Sequence, residues 1–455
     1  MWEAIESNRR RSKLLVAGMG VLLLAMGSII GLAIVPRTGW FGGLLVAFLV
    51  WIVLWLIAKF QGDAIMLSIA GAKKIEKADA PQLFNVVEEM VLASQLGKMP
   101  DIYVIPDDRP NAFAAGRTAE TRVVAVTSGL LRLMSRDELQ GVIAHEIGHH
   151  KNGDPALMIL MGVMLGAIVL IAEIFLRSGF HRGRRSSRDR GSNGAEIALV
   201  VLAIVLAILA PVVARILYFS CSRRREYLAD ASAARFTRYP EGLASALEKI
   251  SVHFRADHEA NRVLAPMYII NPMQALAAVG LFSTHPPTES RVKILRSMGG
   301  GVGYVDYDAA YRKITGKAGC IGKRTLSADT PAQAREASNL PPVEAREEVV
   351  QRSREVGNLL GRMDGLVVMT CACGVGIKVP PGSPWTSIPC PRCGRDNPVP
   401  RASDPANPGE PIVFRRQGTG WQSFQCSCGA TINLSPAFEG TSKSCDRCGR
   451  TLTIT

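Results

Sequence analysis

Four long apolar runs divide the chain into alternating membrane-type and polar stretches. They cover Leu14–Val35, Phe41–Ala58, Ala156–Leu176 and Ile197–Leu217. Each run has close to the roughly 20 apolar residues that a helix needs to cross a bilayer. Glu173 is the one carboxylate inside a run, and it lies near the end of that run. The pattern predicts four transmembrane helices, so a lipid bilayer is the first expected partner.

The polar segments between the runs show mixed helix and strand patterns. Ala80–Leu96 has apolar residues at helical spacing, and Asp101–Ile105 and Arg122–Thr127 have the pattern of strands. Ser135 and Glu138 have the spacing of a capping box, which predicts a helix start. Two further helices are predicted at Ser222–Asp230 and Glu241–Ile250.

Charges beside the first two runs predict a cytoplasmic N-terminus. Arg9, Arg10, Arg11 and Lys13 precede the first run, and basic residues favour the cytoplasmic side. That run is too long for a signal-peptide core and is followed closely by the second, so it is interpreted as an uncleaved anchor. The loop Arg177–Ala195 contains six arginines and one aspartate. Full crossings by the third and fourth runs would place this loop outside, so either the charge rule fails here or the pair forms a shallow hairpin.

Composition agrees with a membrane chain of several domains. Of 455 residues, 48% are hydrophobic, and the formal net charge is +14. Such a charge suits either nucleic acid or an anionic membrane surface. Because much of it flanks the apolar runs, it favours the membrane, and nucleic acid is not an expected partner.

The predicted helix that begins at Ser135 carries an H-E-x-x-H motif, from His145 to His149. Residues four apart share one helix face, so both imidazoles can reach one metal ion. A catalytic zinc lowers the pKa of its water to about 7. Glu146 can take a proton from that water without ligating the ion, and can later donate one to the leaving amine. The alternative is a polar helix face without metal. His150 points about 100° away from His149 on the helix, so it is expected at the surface.

A catalytic zinc needs a third protein ligand, and Glu226 is the predicted one. Asp230 lies four residues later on the same helical face, where it can hold a ligand histidine by its second ring nitrogen. The alternative is a solvated ion pair of Glu226 with Arg223 or Arg225. Spacing alone does not distinguish the two.

Four motifs in order give the chain a specific resemblance. They are Pro110–Ala114, Ala144–His149, Glu226–Asp230 and Thr284–Thr288. Through them, roughly Met1 to Gly299 resembles the M48 family of integral-membrane zinc metallopeptidases of the HtpX and Ste24 type. Four spans are closer to the HtpX type, because Ste24 proteins have more.

The resemblance implies a zinc endopeptidase that cleaves misfolded or damaged membrane proteins on the cytosolic side of a bacterial inner membrane. One catalytic zinc would be held by His145, His149 and Glu226, with Glu146 as general base and acid and Asp230 behind a ligand histidine. The peptidase domain and the C-terminus would be cytoplasmic.

The same resemblance implies that Asn111, His285 and Arg291 lie near the substrate backbone or the developing oxyanion. The alternative is that these three residues only fix loops. The strand Arg122–Thr127 could offer an edge on which an extended substrate pairs.

Eight of the ten cysteines lie in a C-terminal pattern, C-x-C-G followed by C-x-x-C-G-R, that occurs twice with an offset of 55 residues. The constant offset indicates duplication of one small module. Four thiolates in two close pairs suit a tetrahedral structural zinc, whereas disulfides are disfavoured in the cytosol. Two structural zinc ions are therefore predicted. The ligands are Cys371, Cys373, Cys390 and Cys393 in the first module and Cys426, Cys428, Cys445 and Cys448 in the second.

The predicted fold is a mainly α membrane protein with four transmembrane helices, an α+β gluzincin-like peptidase domain and two small β zinc ribbons. The predicted parts are a transmembrane hairpin at 1–58, a first peptidase part at 59–155, a second transmembrane hairpin at 156–218, a second peptidase part at 219–315, a linker at 316–365, and zinc ribbons at 366–400 and 401–455.

Two other function classes are consistent with parts of this pattern. A membrane-tethered adaptor would use the ribbons to bind protein or nucleic acid and retain only a residual peptidase. An intramembrane protease of the site-2 type also uses H-E-x-x-H, but inside a span, and Ser135–Asp154 is too polar for that. Polypeptide substrates, above all membrane proteins, are the expected partners, and no pattern bears on the oligomeric state.

Overall fold

The structure, a computed structural model, describes residues 2–35, 37–182, 194–253, 269, 286–338, 342–399, 412–414, 422–426, 431–434, 440–445 and 451–454. The chain divides into two compact units, Met1–Ser353 and Arg354–Thr455. The first unit holds the long apolar helices and the H-E-x-x-H motif. The second holds the duplicated cysteine pattern.

The first unit combines helices with one small sheet. Its helices are α1 (Trp2–Ile34), α2 (Gly39–Ile69), α3 (Pro81–Ser94), α4 (Ser128–Leu133), α5 (Arg136–Asn152), α6 (Asp154–Arg182), α7 (Gly194–Thr237), α8 (Pro240–His253), α9 (Thr288–Arg296), α10 (Tyr304–Thr315) and α11 (Lys323–Ser327). Its strands are β1 (Lys73–Lys74), β2 (Asp101–Ile105), β3 (Ala112–Ala115) and β4 (Val123–Thr127). Helix α12 (Pro342–Met363) contains the division between the units.

Four helices are long and apolar enough to cross a membrane, as the sequence predicts. The candidate spans lie on α1, α2, α6 and α7, at Lys13–Ile34, Gly39–Ile69, Asp154–Arg177 and Ala198–Thr237. Buried residues of α1, α6 and α7 form one apolar cluster that runs along the bundle. At 1.5 Å per residue, the 24-residue span on α6 is about 36 Å long, enough for a hydrocarbon core of about 30 Å.

The first two membrane helices approach each other through glycines. A Cβ added to Gly31 would lie 2.2 Å from the Gly39 carbonyl oxygen, and one added to Gly27 would lie 2.7 Å from that of Gly43. Small residues at intervals of four let helix backbones pack this closely in a bilayer.

Helix α5 begins where the sequence predicts. Ser135 Oγ accepts from the Glu138 N–H at 3.3 Å, and the Glu138 carboxylate accepts from the Ser135 N–H at 2.8 Å. Gly153 ends the helix at φ +71°, in the left-handed region that glycine adopts without strain. The capping box thus sets the position of the H-E-x-x-H motif along α5.

The sheet has the strand order β1-β2-β4-β3. Strand β4 pairs parallel with β2 and antiparallel with β3, so it lies inside the sheet. The expectation that Arg122–Thr127 provides a free edge is therefore wrong. In the described part of the chain, β3 is the strand at that end of the sheet.

Helix α7 continues without a break from a candidate membrane span to Glu226 and Asp230. It spans 44 residues, contains Pro211 and carries both Glu226 and Asp230, which confirms the helix predicted at Ser222–Asp230. A Cβ on Gly148 of α5 would lie 3.2 Å from the Ser232 Cβ and 3.3 Å from the Ala229 carbonyl oxygen. Glycine at this position lets α5 and α7 pack closely enough for their side chains to meet.

Residues 300–338 pack against helices α5 and α7. Arg335 donates to the Asp137 carboxylate at 2.7 Å and to the Gln140 side chain at 2.8 Å, and the Ser338 N–H donates to Asp137 at 2.9 Å. Tyr307 is fully buried. Part of the segment predicted as linker, 316–338, is thus tied to the N-terminal turn of α5.

The second unit repeats one strand pattern. Strands β5 (Val367–Thr370), β6 (Gly376–Val379) and β7 (Ser387–Pro389) recur 55 residues later as β10 (Gln422–Gln425), β11 (Thr431–Leu434) and β12 (Ser442–Ser444). β8 (Asp396–Pro398) corresponds in the same way to β13 (Thr451–Ile454), which also pairs parallel with β9 (Ile412–Phe414). The predicted duplication thus extends to every strand of the first module.

Candidate active site

Three side chains from two helices converge on one point. His145 and His149 lie one turn apart on α5, and Glu226 comes from α7. The two Nε2 atoms are 3.1 Å apart, and the Glu226 carboxylate oxygens lie 3.6 Å from His145 Nε2 and 3.4 Å from His149 Nε2. Tetrahedral zinc with ligands at about 2.0–2.1 Å places its ligand atoms roughly 3.4 Å from one another. The three side chains therefore fit three of the four positions around a zinc ion.

Each histidine has a carboxylate on the other side of its ring. Asp230 Oδ1 lies 3.0 Å from His145 Nδ1, and Asp154 Oδ2 lies 2.9 Å from His149 Nδ1. An ionised carboxylate can only accept, so each Nδ1 carries a proton and donates it. In the neutral ring, which is the form that binds a metal, each Nε2 then keeps its lone pair directed at the shared point. The sequence predicts this role for Asp230 alone, because Asp154 lies in no functional motif.

A buried arginine pairs with each of these aspartates. Arg291 donates from Nε and Nη2 to the Asp230 carboxylate at 2.8 and 2.7 Å. Arg225 donates from Nη1 to Asp154 Oδ1 at 2.5 Å. The two arginine side chains are 1% and 5% exposed. Glu226 itself is buried, so the solvated ion pair with Arg223 or Arg225 that the sequence left open is wrong.

Negative charge exceeds positive charge in this cluster. Four buried carboxylates lie beside the two guanidinium groups, so with neutral histidines there is an excess of negative charge away from water. Such an excess is unfavourable unless a cation balances it. The chemistry of the donors therefore fits a divalent metal ion. The carboxylates are those of Glu146, Asp154, Glu226 and Asp230.

These charges also alter the protonation of the site. Burial lowers the pKa of both histidines, but the neighbouring carboxylates outweigh it, so the pKa of His145 lies above its usual value and that of His149 well above it. Burial raises the pKa of Glu146, which is 2% exposed. In Glu146 the site thus has a buried carboxyl group that holds a proton more readily than an exposed glutamate.

The residues with a predicted substrate role divide into two groups. His285 lies outside the described residues. Asn111 Oδ1 accepts from the Ile269 N–H at 3.1 Å, and Arg291 Nη1 donates to the Ile269 carbonyl at 3.1 Å. The same Ile269 N–H donates to the Ala112 carbonyl at the end of β3, at 3.2 Å. Asn111 and Arg291 therefore hold the backbone of Ile269 next to the first residue of β3.

Comparison with known proteins confirms the resemblance to M48 peptidases. The sequence pattern of Peptidase family M48 matches residues 77–299. A protein named Protease HtpX homolog from Dictyoglomus thermophilum is 45% identical over 300 residues, which cover 66% of this chain and 95% of that protein. The chain belongs to peptidase family M48.

A second HtpX relative agrees with this assignment, and one solved structure shows a partial likeness that adds nothing to it. The Protease HtpX homolog of Syntrophobacter fumaroxidans is 37% identical over 64% of this M48 chain and 99% of its own length. The crystal structure of S. mikatae Ste24p covers 64% of this chain and 66% of its own, with 19% identity and a TM-score of 0.33. About two thirds of this M48 chain thus accounts for nearly the full length of its HtpX relatives, and the rest is additional to them.

One histidine of this M48 chain differs from its expected position. His150, predicted at the surface, is 5% exposed, and its Nε2–H donates to the Val123 carbonyl of β4 at 2.9 Å. Burial lowers the pKa of His150 to about 4, so the ring is neutral. It ties α5 to the sheet and is not part of the metal-ligand group.

The second unit of the chain places four cysteines together. Cys371 Sγ is 3.6 Å from Cys393 Sγ, and Cys373 Sγ is 3.5 Å from Cys390 Sγ. These distances are too long for a disulfide of about 2.05 Å but fit zinc, whose thiolate ligands at about 2.3 Å lie roughly 3.8 Å apart. Backbone N–H groups, first that of Arg392, lower the pKa of Cys390 to about 6, which favours the thiolate form that binds metal.

The second module is described only in part. Cys426 and Cys445 are buried in its small apolar cluster, together with Ile432 and Leu452. Cys428 and Cys448 lie outside the described residues, so the second set of four thiolates stays a prediction.

Proposed function

We propose that this chain is a zinc-dependent endopeptidase of the membrane. The observation that carries the proposal is the convergence of His145 Nε2, His149 Nε2 and the Glu226 carboxylate at the spacing of zinc ligands. Membership of peptidase family M48 and the names of the HtpX relatives support the same activity.

In this proposal the protein side chains prepare and relay one proton. A bound zinc would supply Lewis-acid chemistry, by lowering the pKa of a water and polarising the scissile carbonyl. Glu146 takes the proton from the attacking water and passes it to the leaving amine. Asp230 and Asp154 hold the two histidine rings in the tautomer that directs Nε2 at the ion.

The substrate backbone is proposed to lie along β3. This strand ends the sheet beside the site, and an extended peptide can add to a strand edge through main-chain hydrogen bonds. The contacts of Asn111 and Arg291 with the backbone of Ile269 support their role in holding peptide groups there. His285 keeps its predicted substrate role as part of this proposal.

Membrane-protein substrates and cleavage on the cytosolic side complete the proposal. The candidate span on α6 begins at Asp154, with only Gly153 between it and the end of α5, which supports a site at the membrane surface. The basic N-terminus favours a cytoplasmic position for this surface. Removal of misfolded membrane proteins at a bacterial inner membrane is the role that we assign to this arrangement.

The proposal is tested with Glu146→Gln in the full chain, purified in detergent micelles. Loss of the general base should lower cleavage of an unfolded membrane-protein substrate about 10²–10⁴-fold. The zinc content should equal that of the wild type, because Glu146 is not a ligand. Wild-type rates in this variant would reject the mechanism, and failure of the wild type to bind zinc or to cleave would reject the function.

A further inference from the structure

Two aspartate–arginine pairs stand behind the two histidines. One pair joins Asp230, which lies in a motif that suggested the peptidase, to Arg291, which the same resemblance placed near the substrate. The other, Asp154 with Arg225, falls outside every functional motif found in the sequence. The first residue of α6 supplies the aspartate, and α7 supplies the arginine.

We infer that Asp154 and Arg225 are a positioning pair that couples the α6–α7 membrane hairpin to the zinc ligand His149. This rests on the proposed function, because it concerns how the same metal-binding group is held.

Two contacts of Asp154 carry the inference. The Asp154 carboxylate uses Oδ2 for His149 Nδ1 at 2.9 Å and Oδ1 for Arg225 Nη1 at 2.5 Å. Asp154 and Arg225 are both buried, so water does not compete for the hydrogen bonds of either side chain. Because the carboxylate has one oxygen for each partner, the direction of its His149 bond depends on where Arg225 holds it.

Chain geometry makes the pair a link between the membrane and the site. His149 lies in the last turn of α5, and Asp154 follows directly after the Gly153 turn, at the start of the third candidate span. Arg225 immediately precedes the ligand Glu226 on α7. The bond between Asp154 and Arg225 thus fixes the start of α6 against α7, and with it the separation of His149 from Glu226.

Replacing only one partner would leave a buried charge unpaired and destabilise the fold. A loss of zinc affinity could then result from misfolding rather than from the lost hydrogen bond to His149. The variants therefore replace both. Asp154→Leu with Arg225→Met keeps a packed apolar pair, which commonly preserves stability when a buried ion pair is replaced. Asp154→Asn with Arg225→Met is the matched control, since its amide oxygen still accepts from His149 Nδ1 and it has no buried charge.

The experiment compares zinc affinity and metal-free stability of the full chain in micelles. Zinc affinity is measured by competition with a chelator, with His149→Ala giving the background from the cysteine modules. Thermal unfolding is measured separately in excess chelator. The Leu–Met variant should bind zinc about 10–100-fold more weakly than the wild type, the usual effect of losing a hydrogen-bond partner behind a metal ligand.

The Asn–Met variant should recover zinc affinity to within about threefold of the wild type, while both double variants unfold within a few degrees of wild type without metal. Wild-type zinc affinity in the Leu–Met variant would overturn the inference. An equal loss of affinity in both double variants would also overturn it, since the hydrogen bond to His149 would then not matter. If the wild type itself binds no zinc at the histidines, the proposed function fails first.

Discussion

The histidine cluster of the first unit and the cysteine cluster of the second reach similar ligand spacing by opposite routes. The histidine cluster draws its groups from α5, α6, α7 and α9 and has buried carboxylates and guanidinium groups around it. The first cysteine cluster takes all four thiols from the two turns between Cys371 and Cys393. Its apolar core holds two buried aliphatic side chains, Ile377 and Val379, with partly buried neighbours.

The difference lies in what each cluster contributes to folding. Helix packing and hydrogen bonds already align the histidine nitrogens, so a metal ion there adds chemistry to a preformed site. A module with so small a core cannot offset the entropy of ordering its hairpins, so metal binding is expected to supply its folding free energy. Three zinc ions per chain are expected, one labile and two resistant to mild chelation.

The largest expected effect comes from removing zinc altogether. Structural zinc in small modules contributes about 10–16 kcal/mol of apparent free energy, so strong chelation should unfold Arg354–Thr455 while Met1–Ser353 stays folded. Hydrogen exchange, read by mass spectrometry on the full chain in micelles, measures both units together. Loss of protection in α5 and α7 to the same degree would remove the contrast between the clusters.

Cys393→Ser sharpens this test. It should remove one of the two resistant zinc ions and unfold one module, leaving the labile ion and the peptidase unit unchanged. Metal analysis after mild chelation gives the count. Loss of more than one resistant ion would show that the modules fold together.

The next effect concerns whether the peptidase unit is complete without residues 300–338. Truncation after Gly299 removes buried Tyr307 and the Arg335 bonds to α5, and loss of one buried aromatic side chain alone costs about 3–5 kcal/mol. We expect this truncation to lower the free energy of unfolding by more than about 5 kcal/mol. Truncation after Ser338, the matched control, should change it little, as chemical denaturation in micelles would show. Equal stability of the two would mean that 300–338 is dispensable.

This result also bears on the adaptor alternative. A truncation after Gly299 cannot separate ribbon function from peptidase function, because it damages the peptidase unit. The truncation after Ser338 can: cleavage that continues without the ribbons, together with loss of the cellular phenotype, would favour the adaptor.

The smallest expected effect is the loss of stability in acid that His150 causes in Met1–Ser353. Burial holds its folded pKa at about 4, against 6.5 when exposed, so protons bind the unfolded chain first. The contribution of His150 to the free energy of unfolding is therefore fully present above about pH 6.5. It falls progressively toward pH 4, by about 3 kcal/mol in all, at 1.36 kcal/mol per pKa unit. His150→Gln keeps a donor for the Val123 carbonyl and cannot titrate. Denaturation in chelator should show that the difference between wild type and variant grows as pH falls, and a constant difference would contradict this.

Some features could be predicted from local patterns because the physics behind them is local. Apolar runs of membrane length, the Ser135–Glu138 capping box and the histidines one turn apart each depend on residues within a few positions of one another. The 55-residue cysteine repeat is equally visible, and its strands keep the same offset. Glu226 and Asp230 were found through motifs, since spacing alone left a solvated ion pair open.

Other features escaped because they depend on which distant segments meet. His150 looked exposed on a helical wheel, but β4 covers that face of α5. The edge strand was assigned to Arg122–Thr127, whereas pairing with both β2 and β3 places this strand inside the sheet. Asp154 and Arg225 carry no recognisable motif, and their relation to His149 exists only when α6 starts beside α7.

The amino-acid order therefore specifies the helices that span the membrane, the start of the catalytic helix and the chemical types of the metal ligands, since each follows from periodicity or short-range hydrogen bonding. The partners that aim those ligands were set by packing: the carboxylate behind each histidine, the guanidinium behind each carboxylate and the strand that closes the sheet. A buried ion pair is stable only where tertiary contacts exclude water and hold both charges at hydrogen-bond distance, and no spacing along the chain encodes that meeting.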